Sequence, residues 1–163
     1  MPSAARVPVF SPRIRARPPP MPFARTMREC VRVGAEVFHA LGGLLAKVGY
    51  TTLKGDEGGY APALRGNERA LQLIMDAIRA AGYAPKKDVA IAMDPASSEF
   101  YDEKKKRYIL RADKKTLSAK EMTALYGRWL KKYPIISIED GLAEDDWDGW
   151  KALTAALGKR ILL

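Results

Sequence analysis

Two short runs constrain this chain more than anything else in it. VAIAM (residues 89–93) is apolar throughout, IISI (135–138) is broken only by Ser137, and each runs straight into an acid, Asp94 and Glu139. A strand with one wet face alternates polar and apolar side chains; a strand without that alternation is covered on both faces, as in a parallel sheet. Parallel neighbours need a long crossover, usually a helix. One is written between the two runs: Ser118 and Glu121 form a capping box, Met122, Leu125, Tyr126, Trp129 and Tyr133 make one stripe, and Pro134 closes it.

The same alternation continues on either side. After Glu139 a helix carries Trp147, Trp150, Leu153 and Leu157 and stops at Gly158, and residues 159–163 begin another strand. Before the first run, Met27, Cys30, Val31, Val37, Phe38, Leu41, Leu44, Leu45 and Val48 recur at helical spacing. Gly42 and Gly43 weaken that helix by about 1 kcal/mol each and predict an early end. A further helix has Asn67 as its cap, a stripe of Leu71, Ile74, Met75 and Ile78, and Gly82 with Pro85 as its stop. EFYDEKKKRYIL (99–110) reads as a hairpin whose Lys104, Lys105 and Lys106 form a solvated turn. The prediction is an α/β fold with parallel strands and outer helices. Periodicity leaves an open sheet and a closed barrel equally possible.

The first 25 residues are different in kind. Seven of the eleven prolines lie within residues 1–22, and Arg6, Arg13, Arg15, Arg17 and Arg25 stand there without an acid. Such a segment cannot build helix or interior strand, so 1–25 is expected to be a disordered basic leader and 26–163 the folded domain. It has neither the apolar core of a secretory signal nor the amphipathic pattern of a transit peptide. The leader carries +5 of the net charge of +9, and no aromatic interleaving or binding motif accompanies it, so nucleic acid is not the expected partner. No apolar run reaches the ~18–20 residues of a membrane span. The single cysteine, Cys30, fits a reducing compartment and reads as a small buried hydrophobe; His39, the only histidine, reads as a helix-edge residue without partners for a triad or metal site.

Chemistry in parallel α/β folds collects where strands end. Asp94 and Glu139 either cap the helices that follow them or converge as hard oxygen ligands, a set that suits Mg2+; there is no histidine and cysteine cluster for zinc. A third acid, Glu57, sits in KGDEGGYAP (54–62), where Gly58 and Gly59 permit positive φ and close approach to a ligand. It is a candidate general acid or base.

Three motifs now stand in order. KGDEGGYAP resembles the acid-glycine loop of enolases, AMDPASSEFY (92–101) the segment around their metal-binding aspartate, and YPIISIEDGLAEDDWDGW (133–150) the segment around their metal-binding glutamate. MRECVRVGAEVFHAL (27–41) also resembles the helix before the loop, so the likeness runs from about Arg25 to Leu163. The resemblance implies part of a (β/α) barrel, cytoplasmic location, a homodimer, and Mg2+-dependent, reversible dehydration of 2-phosphoglycerate to phosphoenolpyruvate in glycolysis. It assigns Glu57 to hydroxide departure and Asp94 and Glu139 to Mg2+. By the same likeness, the base lysine, the third metal-binding aspartate, a substrate lysine and a histidine belong beyond Leu163. An N-terminal domain and a second glutamate belong before the matched region. The 163 residues alone are therefore expected to be inactive, as an enolase fragment or as a non-catalytic binding module with a basic tail. Lys54 and Pro95 depart from the family pattern, which has an apolar residue and a small or sulfur residue there.

Overall fold

Thr26 opens the first helix by accepting the Glu29 amide on its hydroxyl at 3.2 Å, the role for which a short side-chain oxygen at an N-cap is suited. The computed structural model describes residues 26–55 and 58–163; the expected leader, 1–25, lies outside the described residues. Helix α1, Met27–Lys47, runs straight through Gly42 and Gly43 and so does not end early. The reason is tertiary. Leu41 and Leu45 pack against α2, and Tyr60 closes over Gly42, so contacts outweigh propensity. Cys30 is only partly buried, not enclosed, and His39 is exposed with its ring edge-on to Phe38.

The two glycines make unequal demands. A Cβ on Gly42 would collide with the Tyr60 hydroxyl, whereas a Cβ on Gly43 would meet nothing within 4 Å. Gly43→Ala is therefore expected to stabilise the chain by ~0.5–1 kcal/mol through helix propensity alone, and Gly42→Ala to destabilise it. Denaturation midpoints of the two variants should move in opposite directions.

Helix α2, Glu68–Ala80, begins after Asn67, but Asn67 is not a cap: its backbone is already helical and its side chain bonds no helix amide. Both its backbone N–H and Nδ2 donate to Asp113 Oδ2, at 3.2 and 2.5 Å, tying the helix start to a distant turn. Gly82 at φ +86° turns the chain, and the Tyr83 amide returns to the Ile78 carbonyl at 3.0 Å.

Strand β1, Ile91–Met93, is shorter than the apolar run that encodes it. The hairpin is a three-stranded antiparallel sheet, because β2 (Tyr101–Asp102) and β3 (Arg107–Leu110) are joined by β4, Lys115–Leu117. Lys104, Lys105 and Lys106 are exposed at its turn, as expected. Helix α3, Ala119–Lys132, starts with the reciprocal Ser118–Glu121 box. Strand β5, Ile135–Ile138, lies parallel to β1, with Met93 beside Ile138. Helix α4, Trp147–Leu157, ends at Gly158, and the expected last strand is a single parallel bridge from Leu162 to Ser137. The described residues thus form an α/β fold of parallel strands and covering helices, without a closed barrel. Its main core gathers Leu71, Ile78, Ile91, Tyr108, Tyr126, Ile138 and Leu153 between the strands and helices.

One polar tie joins the ends of two helices. Glu68 accepts from Lys132 Nζ at 3.0 Å and from the Tyr133 hydroxyl at 2.9 Å, and the Lys132 bond above all holds its carboxyl below the ordinary 4.5. A carboxyl depressed by folding contributes stability that is present above 4.5 and is lost as pH falls through the lower, folded value. Glu68→Gln should flatten that acid limb with little effect at neutral pH, since the pair is solvent-accessible. Melts of both proteins from about pH 3 to 7 check the sign; an unchanged limb would assign the acid loss to other carboxyls.

Candidate functional site

The parallel register puts two acids side by side. Met93 pairs with Ile138, and the Glu139 amide continues the ladder to the Met93 carbonyl at 2.8 Å, so Asp94 and Glu139 leave adjacent strands at the same level. Neighbouring strands run about 4.8 Å apart, and pleating gives residues at one level the same face. Pro95 pushes the residue before it toward extended backbone, which prolongs β1 through Asp94.

Both strand ends then turn sharply. Asp94 Oδ1 accepts the Ala96 amide at 3.0 Å, and Ala96 is left-handed at φ +49°. Asp140 is left-handed at φ +47°, and its carbonyl accepts the Ser97 amide at 3.0 Å, stitching one turn to the other. Non-glycine residues seldom adopt this conformation, and such strain is found where surrounding contacts hold it in place. Ser98 Oγ accepts the Glu144 amide at 3.2 Å on the outside of the same junction.

The segment after Glu139 is fixed from beneath by two buried phenols. Tyr126 of α3 donates to the Gly141 carbonyl at 2.8 Å. Tyr108 of β3 donates to Asp146 Oδ2 at 2.7 Å while accepting the Ala143 amide at 3.0 Å. Asp146 also caps α4 through the Gly149 amide, and the Trp150 indole donates to the Ala143 carbonyl at 3.0 Å. Burial pushes both phenols well above their ordinary range, helped at Tyr108 by the Asp146 carboxylate, so both stay protonated as donors. A Cβ on Gly141 would lie 2.9 Å from Ile138 Cγ2, so only glycine sits this close to the strand.

Asp94 is partly buried and Glu139 exposed. Two carboxylates with water access could hold a hard cation such as Mg2+, which commonly takes one or two carboxylates and keeps several waters. Among the described residues no group of three or more histidine, cysteine or acidic side chains gathers. Glu57 lies outside the described residues, but the loop around it is closed: Lys54 bridges Tyr60, the Gly55 amide bonds the Gly59 carbonyl at 2.8 Å, and Gly58 takes φ +79°. Tyr60 stacks on Phe38 of α1 at 4.4 Å, with the Lys54 ammonium 5.3 Å from the same ring. Lys54, where enolases carry an apolar residue, thus finds a use as a cation over an aromatic face.

Compared with known protein families, residues 20–163 match "Enolase, C-terminal TIM barrel domain". The chain belongs to the enolase family. The match covers all three motifs and every described residue. Enolase-family membership makes it a lyase by kinship and places its two strand-end acids in a family that generally uses Mg2+. Reading the sequence for acids found Asp94 and Glu139 but passed over Ser97, Ser98, Tyr108 and Tyr126, which support them. A serine after a strand-end acid was the available signal for the first pair. A tyrosine in a helical stripe carries none.

Proposed function

We propose that this chain carries part of a phosphopyruvate hydratase site, cytoplasmic and glycolytic, in which Asp94 and Glu139 hold Mg2+ and Glu57 assists loss of hydroxide from 2-phosphoglycerate. The observation that carries the reading is the placement of two carboxylates at one level on adjacent parallel strands. Mg2+ bound there would supply positive charge against the substrate carboxylate, making its neighbouring C–H acidic enough to ionise. Asp94 contributes a charge whose orientation is set by the Ala96 amide. Glu139 contributes a second from an exposed position, where the substrate and water have access. Glu57, on the glycine loop, would donate a proton to the departing hydroxyl, a poor leaving group unless protonated.

A base for the C2 proton does not stand at the described strand ends: neither β1 nor β5 is followed by a lysine. The 163-residue polypeptide is therefore expected to bind 2-phosphoglycerate in a Mg2+-dependent manner without converting it, because groups that act as a unit are not replaced by the remainder. Calorimetry with and without Mg2+, beside an assay for phosphoenolpyruvate, tests both halves. Binding indifferent to Mg2+ counts against the metal reading, and turnover counts against the incomplete site. A homodimer of the whole enzyme and a domain spanning 26–163 belong to the same proposal.

A further inference from the structure

The two acid-bearing turns are held together by bonds that neither acid makes. The Ser97 amide reaches the Asp140 carbonyl, the Glu144 amide reaches Ser98 Oγ, and Tyr126 anchors the next carbonyl, that of Gly141. Tyr126 is 1% exposed, and its ring lies 3.6 Å from where a Gly141 Cβ would be. Phenylalanine would fill the same space, so packing does not explain the hydroxyl; its one hydrogen bond is to the residue two beyond Glu139. The fully buried Ser97 Oγ makes no hydrogen bond of ordinary geometry, yet it lies close enough to the Tyr126 phenol to oppose the upward shift there. Two left-handed residues, Ala96 and Asp140, flank the stitch and would relax toward commoner conformations if released.

We propose that Tyr126, with Ser98 as its surface counterpart, is a positioning residue that locks the Asp94 and Glu139 turns into one arrangement for a divalent cation. This rests on the Mg2+ reading of the two acids. Tyr126 touches neither acid. It acts through Gly141 and Asp140 on one turn and, by the Ser97 amide, on the other. Outer-shell partners of metal sites commonly matter by 10–100-fold in affinity, and Tyr126→Phe is expected to weaken Mg2+ binding by about that factor.

The test pairs Mg2+ calorimetry with amide hydrogen exchange on the 163-residue chain. In Tyr126→Phe the Ser97 amide should exchange roughly tenfold faster, while the Ile91 amide, bonded to the Pro134 carbonyl at 2.9 Å, holds its protection. Ser98→Ala, on the surface, should weaken Mg2+ a few-fold without loss of fold. Unchanged Ser97 exchange in Tyr126→Phe overturns the proposal. So does wild-type Mg2+ affinity in that variant when Asp94→Asn has lost it. Should Tyr126→Phe not fold, a Ser98→Ala chain that binds Mg2+ like the wild type overturns it. A wild-type chain that binds no Mg2+ fails at the earlier step, removing the metal reading and the positioning role with it.

Discussion

Asp94→Asn is expected to weaken Mg2+ binding by at least the ~10–100-fold typical of losing an outer-shell partner, while thermal stability hardly moves. The substitution is selective for a physical reason. Asparagine keeps the Oδ1 acceptor that the Ala96 amide uses at 3.0 Å, so the turn after β1 survives. What disappears is the negative charge, and with it the main attraction for a hard cation. Side-by-side calorimetric titration and melting of the two proteins decide the matter. Equal Mg2+ affinities would leave Asp94 as the cap of its own turn, the alternative that spacing alone left open. A loss of both affinity and stability would mean that the charge also holds the fold, which the partly exposed position argues against.

Leu153→Ala is expected to cost ~2–5 kcal/mol, the range for a buried leucine whose surroundings close only partly on the void. Leu153 is fully buried on α4, and its Cδ2 lies 3.5 Å from where a Gly141 Cβ would be. The void would open directly beneath the segment that follows Glu139. Measured against the ~5–15 kcal/mol of a typical domain, this single change removes a large share of the total. Urea unfolding should show a lower midpoint with an unchanged slope. A cost under ~1 kcal/mol would mean that α4 is loosely packed on the sheet, and the geometry of the Gly141 turn would lose its foundation.

The parts of the fold that were legible are those decided within a few residues. Ser118 and Glu121 are four positions of one motif, and the box forms as written. Gly158 ends α4 because the helix stripe stops there, and the acids after β1 and β5 follow strands whose apolarity marks them as covered. What escaped depends on partners far along the chain. Asn67 has the identity of a cap, but Asp113 competes for its side chain and wins. Strand β4 is KTL, two of its three residues exposed, and only β3 beside it makes it a strand. Gly42 reads as a helix breaker until Tyr60 occupies the space that a side chain would need. Tyr126 and Tyr108 look like core aromatics in any pattern, since a phenol and a phenyl ring have the same periodicity. Their hydroxyls matter because of which carbonyl or carboxylate the folded chain presents to them. Glu57 was legible as a candidate only through its glycines, and it lies outside the described residues.

The antiparallel meander lies between the two parallel strands in sequence, and that position sets an order of events. Pairing β1 with β5 means closing a long loop before any sheet contact rewards it, and such pairings form slowly. The β2–β3–β4 meander needs only near neighbours, and a hairpin forms in about 1–10 μs. Formed first, it shortens the effective loop. Tyr108 on its central strand then awaits Asp146 and Ala143, so arrival of the segment after Glu139 completes three long-range bonds at nearly one moment. The acid-bearing junction is accordingly among the last parts of the chain to acquire its final geometry, and the first to lose it when the protein opens.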